Sequence, residues 1–315
     1  MTTLLILLLL IHSSVGVFNK LLITTGYNGF NLNKSEIINL ENPSKVCPAF
    51  EDFPLHVRAA SGGLLAGSIP VVCGGYTAAS LNPYSSLCYT LKHDLRGYLS
   101  RPRAYSASLV INDTSLWITG GLPEITQSTE IVSLVENKLT SETGPDLPMP
   151  LFGHCLVPIP DGNYMIIGGY TSDQTSLFDE TDETFIFHAQ NQSWTSGPSL
   201  NLGRYYHSCG VLDNTVVVVG GFKYYNALQT VELLDLSNPI SWTEGPILPR
   251  PLIGTSLITL SDSLLVMGGG VYGFNVFYHE IYEFDLQEWN ELPARLETER
   301  NMMIAMLVPD EIADC

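Results

Sequence analysis

The sequence predicts an all-β fold, a six-bladed β-propeller closed by its own C-terminal strand, and three observations carry that expectation. A glycine pair recurs along the chain, its second member at Gly75, Gly121, Gly169, Gly221 and Gly269, with a degenerate first copy at Gly26. The spacings are 49, 46, 48, 52 and 48 residues, the kind of period that marks a repeat architecture. Each mark follows a short apolar run, at residues 21–25, 71–73, 116–119, 164–167, 216–219 and 264–267. Runs this short and this continuously apolar read as strands buried on both faces. At the chain ends, residues 301–308 look like an inner strand without its own blade, and the first repeat starts directly at its Gly26 strand. Completion of one by the other covers edges that would otherwise invite aggregation.

The remaining elements follow from turn chemistry. Upstream of the glycine pairs lie polar turns, residues 112–115, 160–163, 213–214 and 261–263, which read as hairpins between a first and a second strand. Downstream come third strands at residues 129–134, 185–187, 231–236 and 281–285, and then a fourth that carries Trp194, Trp242 and Trp289. Gly144-Pro145, Gly197-Pro198 and Gly245-Pro246 lead out of the outer strand. Four strands make one blade. Paired glycines let the chain leave the second strand through backbone angles closed to other residues, and leave room for a neighbouring blade.

The glycine pairs, the later Trp and an Arg placed 16 to 18 residues before most pairs resemble the kelch repeat family over nearly the whole chain. The period near 50 agrees, since WD-type propellers repeat in about 40 to 45 residues. The Arg position is filled by Arg58, Arg103, Arg204 and Arg250, and Arg300 begins a further copy. The first repeat keeps one glycine, the fourth lacks the Arg, and the first three lack the outer-strand Trp. With no BTB-type region beside the repeats, the resemblance is to secreted kelch proteins and not to ubiquitin-ligase adaptors.

Residues 4–11 are an unbroken apolar run followed by Ser13, Ser14, Val15 and Gly16, the shape of a signal peptide cut after Gly16. A run of this length is too short to span a bilayer as a helix, which needs about 20 residues. The expected division is therefore a signal peptide over residues 1–16 and one propeller domain over 17–315, secreted, monomeric and without a membrane anchor. The 32 Asp and Glu against 14 Lys and Arg give a formal net charge of -18, which makes nucleic acid a poor partner. Six cysteines on a secretory route suggest disulfides. Cys73 and Cys88 flank a turn between two strands and form the expected bond. Cys155 and Cys209 hold equivalent places in successive repeats, which repeat homology explains as well as a bond does, and Cys47 and Cys315 remain near the two ends. Sequons at Asn33, Asn112 and Asn191 all fall in turns, where glycans would leave the strands intact.

No chemistry-bearing motif declares itself. There is no Gly-x-Ser-x-Gly, Walker loop, His-Glu-x-x-His or zinc-type Cys/His spacing, and no cofactor or metal is expected. His154 and His207 begin inner strands at matched places and read as repeat consensus. Loops of a propeller gather around one mouth, and here they are rich in aromatics. A binding module for an extracellular protein or glycan is the leading reading. A carbohydrate-active enzyme of the sugar mutarotase type is the alternative, needing only an acid or base over a sugar pocket. Arg58, Arg103, Arg204 and Arg300 have two readings: internal pairing with acidic side chains of neighbouring loops, which is the leading one, or contact with an acidic ligand through forked hydrogen bonds, with Tyr224, Tyr225 or Tyr272 at the rim as further candidate ligand contacts.

Overall fold

The structure, a computed structural model, describes residues 19–48, 50–172, 179–271 and 275–313. Six antiparallel sheets stand around one axis. Blade two runs from the axis outward as Ser61–Leu65, Ile69–Cys73, Leu87–Thr90 and Arg96–Tyr98, and blade three as Ala107–Asn112, Ser115–Thr119, Thr129–Val135 and Lys138–Thr143. Blade four comprises Cys155–Ile159, Asn163–Ile167, Thr184–His188 and Ser193–Ser196. Blade five comprises Ser208–Leu212, Thr215–Val219, Val231–Asp235 and Thr243–Glu244, and blade six Ser256–Thr259, Leu264–Met267, Glu280–Phe284 and Trp289–Arg295. Blade one joins the two chain ends: Ile304–Val308 is its inner strand, paired antiparallel with Lys20–Thr24, and Glu36–Asn39 lies outermost. The closure expected from the sequence is the one the chain adopts.

The second strands are buried on both faces because each lies between two neighbouring blades. Val217 and Val219 pack toward blade six, while Val216 and Val218 pack toward blade four. The hydrophobic core is accordingly six clusters, one in each gap between blades. The glycine pairs permit that approach. A Cβ on Gly120, whose φ is +61°, would stand 2.3 Å from the carbonyl oxygen of Leu151 in the next blade. Outside, the indole N–H of Trp242 donates to Pro198 O at 2.8 Å and that of Trp289 to Pro246 O at 2.9 Å, so these two latch onto the Gly-Pro phrase of the preceding blade, while Trp194 donates to Asp146 O, one residue past that phrase, at 2.9 Å.

Cys73 and Cys88 face one another in register on neighbouring strands and are bonded, with Cα atoms 4.0 Å apart. Cys155 and Cys209 are also bonded, Cα to Cα 6.1 Å. Equivalence in the repeat and the bond turn out to have one cause: matched positions on adjacent inner strands are neighbours around the axis. Cys47 is disulfide-bonded as well. Residues 1–16, Tyr272 and Cys315 lie outside the described residues.

Antiparallel pairing puts the loops leading into inner strands, and those joining second to third strands, on one face of the disc. That face is closed by a circle of backbone hydrogen bonds. Tyr105 N–H donates to Ala59 O, Gly153 to Tyr105, Tyr206 to Gly153, Gly254 to Tyr206, Met302 to Gly254 and Ala59 to Met302, all at 2.7 to 2.9 Å. These six residues share φ between 50° and 62°. For the four that are not glycine the left-handed backbone costs about 1 kcal/mol each, offset by a ring of bonds available in no other conformation.

Candidate functional site: the aromatic mouth

The backbone circle fixes where each preceding side chain points. Two residues before it stand Arg103, Arg204 and Arg300, and all three are buried in the gap between blades. Arg103 donates to Gly120 O and Ser128 O, both 3.0 Å, and its other amino group meets Glu130 at 2.7 Å. Arg204 repeats the pattern with Gly220 O, Thr230 O and Glu232 at 2.6 Å, and Arg300 with Thr25 O, Lys34 O and Glu36 at 2.9 Å. Their guanidiniums bind strand ends and a carboxylate on the third strand. Of the two readings, internal pairing is the one these three adopt, and their candidacy as ligand contacts is corrected: they are structural cross-braces whose terminal amino groups are committed internally. Arg250 makes a looser version, 3.3 Å from Glu280 and a third exposed.

Arg58 is different because it stands one residue closer to the circle. Val57 occupies the cross-brace position in its blade, and Arg58 takes the place held elsewhere by Phe152, Tyr205 and Asn301. It consequently points into the mouth. Its guanidinium lies over the rings of Tyr27 at 4.4 Å and Tyr76 at 4.7 Å, and its Nε donates to the Tyr105 hydroxyl at 2.9 Å. Such stacking holds the charge without using the terminal amino groups, which make no hydrogen bond among the described residues. Among the described residues no carboxylate forms an ion pair with Arg58.

A cavity of about 240 Å³ opens beside it, walled by Tyr27, Tyr105, Tyr206, Phe277 and Asn301. The aromatic wall continues through Tyr105 and Tyr206, 5.4 Å between centroids, to Phe152, Tyr205 and Tyr170. Burial raises the pKa of the Tyr105 hydroxyl although Arg58 pulls the other way, and burial beside Tyr105 and Tyr205 pushes Tyr206 well up. Both phenols are therefore neutral near pH 7. Asn301 Oδ1 is buried at the cavity without a hydrogen-bond partner, a polar atom whose demand an incoming group could meet.

Tyr224 and Tyr225 lie apart from this cavity. They form the tip of a small hairpin, Phe222–Lys223 with Asn226–Ala227, where they are exposed and left-handed, with Lys223 over the Tyr224 ring at 4.8 Å. Below the circle, His154 donates to or accepts from Thr119 Oγ1 at 2.7 Å, and His207 is buried alongside; burial holds both imidazoles at a pKa of about 3. Tyr105, Tyr206 and Asn301 were not singled out from the sequence. The usable signal was the phrase in which an aromatic follows Arg103 and Arg204 by the same two residues.

A family model described as the KLHDC2/KLHL20/DRC7 Kelch-repeats domain matches residues 106–312. The chain belongs to the kelch-repeat family. Mouse Kelch-like protein 23 is 27% identical over 157 residues, 48% of this kelch chain and 26% of that protein. Kelch repeat-containing protein 2 of Saccharomyces cerevisiae is 26% identical over 193 residues, 54% of this chain and 22% of the yeast protein. This chain thus spans about a quarter of the length of these curated relatives. Among solved structures, that of YjhT superposes with a TM-score of 0.54 at 14% identity, covering 64% of this chain and 68% of that one, which supports the kelch fold alone.

Proposed function

We propose that this protein is a secreted binding module that captures an extracellular protein or glycan at the aromatic mouth through a carboxylate on the ligand. The observation that carries the reading is Arg58: a guanidinium stacked between tyrosines, with no carboxylate paired to it among the described residues. A ligand carboxylate meeting its free donors would form charge-assisted bonds, and the surrounding rings suit a peptide or sugar face. Among the described residues the cavity lining contains no Asp, Glu or His. That supports binding over the mutarotase alternative, which needs a group able to exchange a proton near neutral pH.

Secretion is the companion proposal. The apolar run at residues 4–11 has the shape of a signal peptide, and every cysteine among the described residues is disulfide-bonded, as suits an oxidising compartment. Asn112, the last residue of its strand, and Asn191, in a turn, are exposed on the face opposite the mouth, so glycans there would leave it open. Proximity labelling from the secreted chain, paired with a glycan array, should return a partner set that Arg58→Ala loses while Tyr224→Ala and Tyr225→Ala keep it. Retention of the whole set by Arg58→Ala at normal secretion would remove the mouth as the binding site.

A further inference from the structure

Among the described residues five blades have four strands and blade one has three. Its outermost strand, Glu36–Asn39, ends in an open edge. Leu40 N–H donates to Asn19 O at 2.9 Å, and since bonded pairs alternate along an antiparallel ladder, Ile38 and Glu36 face Leu21 and Ile23 with their backbone groups. The N–H and C=O groups of Ile37 and Asn39 therefore point outward, and among the described residues no hydrogen bond reaches them from outside. A cleft of about 600 Å³ runs along this edge, lined by the whole strand on one side and by Lys45 and Val46 on the other. Its far wall stands off from the strand, and Val46 there is 92% exposed.

The cleft is charged at its two ends in opposite senses. Lys45, anchored through its N–H to Asn42 O and thence to the Asn39 side chain, has no ion pair among the described residues and marks the Asn39 end. Glu297, whose N–H bonds the Glu36 carboxylate, has no ion pair among the described residues and marks the other end. The remaining charges of the lining are neutralised in place, Glu36 by Arg300 at 2.9 Å, Asp52 by Lys34 at 2.6 Å, and Arg295 by Glu291 and, at 3.8 Å, Glu280.

We propose that blade one accepts an extended segment of a partner protein as its fourth strand, bonded to the outward groups of Ile37 and Asn39. Running antiparallel to Glu36–Asn39, as every neighbouring strand in the propeller does, such a segment would begin beside Lys45 and finish beside Glu297. Its recognisable chemistry is an acidic residue followed about five residues later by a basic one, with strand-forming residues between them. A second copy of this chain is a poor occupant, because each copy carries a formal charge of -18.

The test uses the secreted chain with two capped peptides, acetyl-Glu-Val-Thr-Val-Thr-Lys-amide and its charge-reversed form, and reads amide exchange residue by residue by NMR. The first peptide should slow exchange at Ile37 and Asn39, and the reversed peptide should not. Ile37→Pro removes an outward N–H without touching the inward pairs, and should weaken the effect about tenfold; Lys45→Glu, which leaves the backbone alone, should reverse the preference between peptides. Arg58→Ala should change nothing here, which separates this edge from the mouth. Equal response to both peptides, or none, overturns the proposal. Protection of these amides in the chain alone would also overturn it, indicating a second copy if it fades on dilution and a segment of the same chain if it persists.

Discussion

Arg103 and Glu130 are almost wholly buried and bonded to one another, so removal of either leaves a charge stranded between two blades. Arg103→Ala should cost roughly 3 to 5 kcal/mol and depress secretion, and Arg204→Ala should behave alike because Glu232 sits in the same place. Chemical denaturation of the two variants beside Arg58→Ala checks this: the first two should melt early and the third near wild type. A stable, well-secreted Arg103→Ala would contradict the cross-brace role. At this scale the sequence was half legible. The arginines recur at nearly constant distance from the glycine pairs, which shows their repeat origin, but counting back from glycine blurs positions by one or two residues. That blur hid the offset separating Arg58 from the others, and one residue is enough to turn a side chain from the gap between blades into the mouth. The acids at Glu130 and Glu232, 27 and 28 residues after their arginines, held the missing information.

Strands were more legible than side-chain roles because their signal is redundant. Four of the six second strands are named three times over, by an apolar run, the polar turn before it and the glycines after it, and those expected at residues 116–119 and 216–219 are found as Ser115–Thr119 and Thr215–Val219. The open edge of blade one was not visible, since the outer strand is the least apolar in every blade and its absence leaves no gap in the hydrophobic pattern. Closure by Ile304–Val308 makes a direct prediction. Deleting residues 301–315 removes the inner strand of blade one, Met302 from the backbone circle and the Arg300-adjacent Asn301, and exposes the second strand Lys20–Thr24. Aggregation or failed secretion should follow, read by yield and size-exclusion profile. Normal yield with an unchanged melting curve would show that the circle closes without it.

For the molecule as a whole, two buried histidines tie stability to pH. His154 and His207 have a folded pKa of about 3 against an ordinary value of 6.5, so between those limits the unfolded chain takes up protons that the folded chain refuses. Their contribution is fully present above pH 6.5 and drains as pH falls toward 3. At pH 5 the loss is about 4 kcal/mol for the pair, and replacing both by Leu should flatten that slope in urea titrations at pH 5 and pH 7. A slope unchanged in the double variant would assign the acid sensitivity to other groups. The same ring that buries these histidines carries the mouth above them, where six loops meet and where relatives of similar fold need not share a ligand. The most direct measurement is the equilibrium affinity of a captured partner for the purified chain, compared between wild type and Arg58→Ala at matched melting temperature. The mouth account predicts a loss of at least about tenfold, the worth of one charge-assisted hydrogen bond; equal affinities would contradict it.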